Sequence, residues 1–567
     1  MRPTATRIML AISAALALVL LLLPTLRTGF LSDDFLDLHH TFSLESFTRF
    51  VFTGFRPLNE AVYALDASLW GETRPWGWHL TNIFFHILCA FLLWRTALAV
   101  FKDKSVAVLS VAFFLLSQAA VPSFARISGR TAPVSIAPLL GAVIAHCAYV
   151  TGQKKSHLLL AMLLFLTSLF AKETALACAP LFGLVSMCLI PSEKPQLFLR
   201  HTALYLVPTF IYLAWRIYWL GLTFGYSESA GFGLFMVNNL ATLIKIQFSP
   251  WLDGLPVRIL IVLGVVLLFT SKADWNRKLL LAGFIILPLL TVANLPPRTY
   301  YAYAALPGAA LLFGAAAGSL KGRWLVLIPV ILLGCFLASR DELTRFRHAD
   351  AYTRSIIDRL ANLESRYPDG TLIFVSGIES GIAGYGTIWP GAYREALSTV
   401  GVDGSGVFDA TSFWEKVWPI IDAGGEPECI FADFSTESTM VIPFRPSVRL
   451  VAAGIDSIIA GDREILSISD DLWMMNSCLA TGQVSLFVSD PFDEKGWVEI
   501  QPAAIRGDSI LFDLESSPAW LLSRDSGGYL HVAGPESDKP LLFLCERLWL
   551  DHLLERMEMK AEAQVAS

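Results

Sequence analysis

The chain has 567 residues, 54% of them hydrophobic, and a mean hydropathy of +0.55. Only 16% are charged, against roughly 25% in an ordinary soluble domain, which excludes a chain that is soluble throughout. The net charge of −6 offers none of the basic surplus that a nucleic-acid partner would need.

Charge is unevenly spread along the chain. Up to about Ala338, apolar runs alternate with short polar punctuation, and beyond Arg340 the composition is that of a soluble domain. This predicts a membrane domain over 1–340, with a long outer loop at 27–77, and a soluble domain over 341–567. A span needs about 20 apolar residues. Candidate spans begin near Ile8, Trp78, Ser105, Ala132, His157, Thr174, Ala203, Val257, Leu279, Tyr301 and Trp324, about eleven membrane helices in all. The first is read as retained, because no small-residue cleavage site follows it. Phe232 to Phe248, broken by Asn238, Asn239 and Lys245, is assigned to the interface.

With the N-terminus in the cytoplasm, each inner loop carries basic residues: Arg2 and Arg7, Lys102 and Lys104, Lys154 and Lys155, Lys194 and Arg200, Lys272 with Arg277 and Lys278, and Lys321 with Arg323. That is the positive-inside bias. It places the C-terminal domain outside the cytoplasm.

The unusual residues then collect on the outer side. The first outer loop opens with Ser32-Asp33-Asp34-Phe35, and Arg56-Pro57-Leu58-Asn59-Glu60 follows. Later outer segments carry Arg126 and Arg130, Lys172-Glu173, Arg216, and Pro297-Arg298-Thr299-Tyr300-Tyr301. Ionisable groups at a membrane boundary are functional candidates by default. His79, Asn82 and His86, at spacings of three and four, share one helical face, which must turn into the bundle. A carboxylate there can take a proton from an acceptor hydroxyl, and arginine or lysine can hold a phosphate and the charge that grows on it as it leaves. No nucleotide-binding glycine loop is present. The eight cysteines show no zinc spacing, so no metal ligand is assigned and a divalent cation is left open.

These residues resemble the GT-C glycosyltransferases, polytopic enzymes that use polyprenyl-phosphate sugars. The nearer likeness is to the membrane part of the transmembrane, tetratricopeptide-containing O-mannosyltransferases and their relatives. It is carried by Ser32-Asp33-Asp34-Phe35, Arg56-Pro57-Leu58, Pro75 to Asn82 with His86, Ser128-Gly129-Arg130, Leu169 to Thr174, and Pro297 to Tyr301. The resemblance implies an inverting transferase in a cytoplasmic (inner) membrane, with Asp33 or Asp34 as general base. Arg298, then Lys172, Arg130 and Arg216, would hold the carrier phosphate, and His79, Asn82, Glu173, Arg56 and Tyr301 would line the site. The implied partners are the bilayer, the lipid-linked sugar, and a glycan, lipid or protein acceptor. Two features depart from that pattern. Ser117 to Pro122 lacks the His-Pro and Glu of many relatives, and no tetratricopeptide repeat follows Arg340.

Beyond Arg340, Phe346 to Leu363 has helical spacing. Thr371 to Ser376, Met440 to Pro443, Val448 to Ala452, Val484 to Val488 and Ser509 to Asp513 read as strands, an α/β start leading into a β-rich portion. Two rivals come from other classes. A transporter or flippase of lipid-linked sugars would place its site near the bilayer midplane, between paired repeats, and no internal repeat is found. A non-catalytic glycan-binding assembly protein on a transferase scaffold would tolerate loss of the outer-loop acids.

Overall fold

The computed structural model describes residues 18–37, 56–71, 73–190, 194–220, 234–248, 274–293, 295, 298–368, 370–379, 381–382, 385–388, 392–409, 416, 420, 427–434 and the strands between 440 and 543. It divides into two compact units. The first holds Met1–Ser355 with Ser380–Trp389 and Ser398–Gly401; the second holds Ile356–Glu379, Pro390–Leu397 and Val402–Ser567.

The first unit is helical. Its longer described helices are α1 (Leu18–Arg27), α2 (Pro57–Trp70), α3 (Pro75–Phe101), α4 (Lys104–Leu116), α5 (Thr131–Gly152), α6 (Lys155–Ala171), α7 (Ala179–Leu189), α8 (Lys194–Leu220), α9 (Leu234–Phe248), α10 (Trp275–Leu290), α11 (Leu306–Ala317) and α12 (Leu327–Glu364), whose residues from Ile356 on belong to the second unit. Five stretches among the described residues are long and apolar enough to cross a membrane: Pro75–Phe101, Ser128–Gly152, Pro195–Tyr218, Thr299–Ala317 and Gly322–Glu364. A sixth is possible if Lys104–Leu116 and Gln118–Ala125, bent by 60° at Ser117, form one span. The expected spans near His157 and Thr174 exist as shorter apolar helices. Those near Ile8 and Val257 begin outside the described residues, as does the expected strand at Val448 to Ala452.

Two reversals are built alike. Lys102 (φ +56°) and Gln153 (φ +53°) close α3 and α5 in the left-handed conformation, which caps the last turn and lets the chain double back. Asp103 then caps α4 by accepting from the Ser105 amide at 2.7 Å. Arg277 at the start of α10 donates to the Val100 carbonyl at the end of α3 (3.3 Å). Because successive helices alternate in direction, the basic pairs Lys102/Lys104, Lys154/Lys155 and Lys321/Arg323 fall with Arg277 at one end of the bundle. Asp33, Arg56, Arg126, Lys172 and Tyr300 fall at the other. Close contact between α10 and α11 depends on Gly308, where a Cβ would lie 2.7 Å from the backbone of Phe284 and Ile285.

The helix expected over Phe346 to Leu363 is part of α12, which is continuous from Leu327 to Glu364. Between Leu337 and Phe346 its residues are mostly good helix formers with no glycine or proline, and Asp341 pairs with Arg345 one turn on (2.9 Å).

In the second unit, β1 (Leu372–Ser376) is central. The sheet order is β4-β1-β5-β6, with β4 (Val407–Asp409) and β5 (Cys429–Asp433) parallel to their neighbour β1 and β6 (Met440–Phe444) antiparallel to β5. Two four-stranded antiparallel sheets follow between Ile455 and Phe543. A small hairpin, β2 (Gly381–Ile382) with β3 (Tyr385–Gly386), belongs to the first unit.

Candidate active site

The first outer loop separates its two aspartates by environment. Asp34 is 1% exposed and accepts three backbone N–H groups, from Leu31 (3.0 Å), Ile127 (3.2 Å) and Ser128 (2.7 Å). A carboxylate so engaged is a staple between two loops. Asp33, one position on the opposite side of the turn, keeps a side chain 47% exposed and pairs with the Arg126 guanidinium. Ser32 precedes it with φ +56°, a conformation that disfavours side chains.

The turn at 126–130 is the hub. Asn82 donates to the Arg126 carbonyl (2.7 Å) and reaches that of Ile127 (3.4 Å). His79 faces the Thr28 hydroxyl (3.0 Å) and the Phe124 carbonyl (3.2 Å). The turn needs Gly129, because a Cβ there would collide with the Pro122 carbonyl. Arg130 closes it from within. Fully buried, it pairs with Asp66, donates to the Trp78 (3.1 Å) and Ile127 (3.3 Å) carbonyls, and lies over the rings of Tyr63 and Trp78. Thr81 donates to the other oxygen of Asp66 at 2.7 Å.

A second group of charges lies at the α6–α7 turn. Arg56 grips Glu173 with two N–H donors, at 2.7 and 3.2 Å, the bidentate geometry that suits arginine. Asn59 donates to the Ala171 carbonyl (2.5 Å), fixing α2 on this turn. Lys172 is 2% exposed and makes no ion pair among the described residues. Its ammonium reaches the Thr131 hydroxyl only at 3.4 Å and lies 5.7 and 5.6 Å from the ring centres of Tyr300 and Tyr301. Burial pushes its pKa down to about 7; Arg56 and Arg126 push the same way, and Glu173 pulls back. Tyr300 also lies beneath Arg126, at 5.9 Å, so one aromatic ring joins the two cations. Burial raises the neighbouring Glu60 carboxyl to about 7 against the pull of Arg56.

The sequence candidates thus fall into three sets. Asp33, Lys172, Glu173, Arg56 and Tyr301 share the charged end of the bundle. Arg216, on α8, is buried and donates to the Tyr212 hydroxyl (2.7 Å). Asp34, Arg130, His79 and Asn82 instead build the frame. Arg298 is exposed at the start of the Thr299–Ala302 turn and forms no ion pair among the described residues. His86 is framework as well, facing the Tyr303 hydroxyl (3.1 Å) and stacked on Phe114. Among the described residues no group of three or more His, Cys, Asp or Glu could hold a metal.

Sequence reasoning passed over Asp66, and it named Tyr300 only within its motif, without a role. Asp66 left a trace in the sequence: a lone carboxylate in the middle of an otherwise mostly apolar helical stretch, Ala61 to Trp70, requires a partner.

Solved structures that resemble the chain include two of one protein. One is ArnT from Cupriavidus metallidurans in the apo state, with TM-score 0.47, 12% identity, and coverage of 82% of this chain and 98% of that one. The other is the same protein bound to undecaprenyl phosphate, with TM-score 0.48, 13% identity and the same coverage. No family model and no curated protein matches.

Proposed function

We propose that this chain is a membrane glycosyltransferase that moves a sugar from a polyprenyl-phosphate carrier to an acceptor hydroxyl on the non-cytoplasmic face. The observation that carries the reading is the meeting of a half-exposed carboxylate, Asp33, with Arg126 and the buried Lys172, which makes no ion pair among the described residues, around Tyr300. They meet at the end of the bundle opposite its lysine-rich turns, which the positive-inside bias assigns to the cytoplasm.

The chemistry follows from the charges. Asp33 takes the proton of the acceptor hydroxyl as that oxygen forms a bond to the anomeric carbon. The bond from that carbon to the phosphate oxygen breaks, and its electron pair leaves with the carrier. One displacement inverts the anomeric centre. The phosphate gains negative charge as it departs, so cations fixed beforehand stabilise the transition state more than the bound donor. Lys172 is suited to this, because a phosphate oxygen would add to the weak counter-charge that Glu173 supplies among the described residues. Arg126 both orients Asp33 and faces the same space over Tyr300. Arg298, exposed nearby in sequence, is placed at the rim as a contact for the incoming headgroup. A transporter would instead keep its ionisable groups near the midplane of the bundle, whereas these lie at helix ends.

The direct test is turnover of purified, reconstituted protein with a polyprenyl-phosphate sugar. Asp33→Asn should lower turnover by at least about a hundredfold, the lower end of a general-base contribution, with donor binding retained. Wild-type turnover in Asp33→Asn would end the reading.

A further inference from the structure

We infer that the hairpin Gly381–Gly386 and the residues after it, Thr387 and Ile388, act as a positioning strap for Asp33. This rests on the reading of Asp33 as the general base. Residues 380–389 belong to the first compact unit although the chain on both sides of them belongs to the second. The sequence gives no reason for this return, because the segment lies deep in the soluble-looking half.

Its contacts explain the return. The Ser32 amide, directly before Asp33, donates to the Thr387 carbonyl at 2.6 Å. Thr387 and Ile388 are 1% and 2% exposed. Tyr385 stacks on Phe346 of α12 with ring centres 3.8 Å apart, and its hydroxyl donates to Glu342. Glu342 also accepts from Gln118 (3.0 Å), which lies just ahead of the 126–130 turn. Farther along α12, Asp350 accepts from the Gly29 amide (2.7 Å) and Arg354 donates to the Arg27 carbonyl (2.5 Å). A Cβ at Gly29 would sit 2.9 Å from the Asp350 carboxylate, so the approach requires glycine.

The loop from Arg27 to Asp34 is therefore held at five points: Arg27, Thr28, Gly29, Ser32 and Asp34. Of its two aspartates, Asp33 alone keeps a half-exposed side chain. Ser32 occupies a left-handed conformation, and such a conformation persists only where its surroundings over-determine it. The strap supplies the contact on the amide of that residue. Released from Thr387, Ser32 would relax toward ordinary backbone angles and swing Asp33 away from its present direction. The donor contacts at Lys172 and Tyr300 lie on other elements and would be untouched.

Tyr385→Ala tests this, since it removes both the stack and the hydroxyl that dock the strap. With the full-length protein and a polyprenyl-phosphate sugar, kcat should fall by about ten- to a hundredfold, the scale of an ångström-size misplacement. Donor KM should stay within about twofold, the mark of an interaction felt in the transition state alone. Amide hydrogen exchange in the peptide covering Gly29 to Phe35 should quicken. Tyr385→Phe, which keeps the ring, should retain most of the turnover and the protection. If Tyr385→Ala does not accumulate, Tyr385→Leu is read by the same measures. Unchanged kcat and exchange would overturn the inference, and so would a parallel loss of kcat and donor affinity with a lowered Tm, which is the pattern of general damage. An active Asp33→Asn would instead remove the base assignment, while the exchange measurement would still decide whether the strap holds the loop.

Discussion

The turn at residues 126–130 and the turn at 171–173 each bury a cation at the same end of one bundle, and they treat it in opposite ways. Arg130 is surrounded: Asp66 neutralises it, two carbonyls accept from it, and two aromatic rings cover it. Lys172, equally hidden from solvent, has a distant hydroxyl and two tyrosine faces, and its neighbour Glu173 is spent on Arg56. A buried charge with every donor satisfied is finished structure. One without a counter-charge is held at a cost, and a ligand that brings the missing charge recovers it. Burial alone does not separate framework from site, whereas the state of the partner does.

Breaking the finished side should produce the largest effect. Asp66→Ala leaves Arg130 buried without its counter-ion, and loss of one partner of a buried pair costs roughly 3–5 kcal/mol. Thermal unfolding in detergent should show this as a large drop in Tm. The folded remainder should keep its donor affinity. A Tm close to wild type would mean that Arg130 is not the internal staple described above.

The unfinished side should respond in the reverse sense. Lys172→Met keeps the volume and removes a poorly compensated charge, so Tm should hold or rise. Affinity for a polyprenyl-phosphate sugar should fall by an amount corresponding to about 1.5–3 kcal/mol, the worth of a hydrogen bond to a charged group.

The same contrast extends to pH. The proposed donor is a phosphodiester, whose charge is constant near neutrality, so a pH dependence of its binding reports the protein. Lys172 must carry its proton to hold the phosphate, and its pKa in the free protein lies at about 7. Donor affinity should therefore be fully present below that value and weaken as pH rises through it, by up to about tenfold per unit for one linked proton. Lys172→Arg, which stays protonated, should flatten the profile. Glu60 also titrates near 7, so a Glu60→Gln background isolates the lysine. A profile equally steep in Lys172→Arg would assign the proton elsewhere.

The smallest change is expected at Arg298. As an exposed headgroup contact it should tolerate Arg298→Lys with a loss of only a few-fold in donor affinity, from the missing planar fork. Indifference even to Arg298→Ala would remove it from the donor path.

Much of the charged end could be read from residue order. Ser32-Asp33-Asp34, Arg56, Lys172-Glu173 and Tyr300-Tyr301 stand out because charge and tyrosine interrupt apolar runs at span ends. The residues do not declare their roles in the same way. Asp33 and Asp34 are neighbours of one chemical type, and their difference appears only when Ile127 and Ser128 present their amides to one of them. Arg130 has the look of an anion holder until Asp66, 64 positions away, is found against it.

By itself, then, the sequence determined the apolar, helical character of the first 340 residues, the basic and charged turns between its helices, and the positions of several later strands. Those properties follow from local composition, helical periodicity and strand alternation, all of which are short-range. Tertiary structure alone decided which cations are satisfied, which of two aspartates stays accessible, that α12 runs unbroken, and that residues 380–389 return to the first unit. Each of these depends on a partner far away in the chain, and a residue's electrostatic worth is set by such partners rather than by its own side chain.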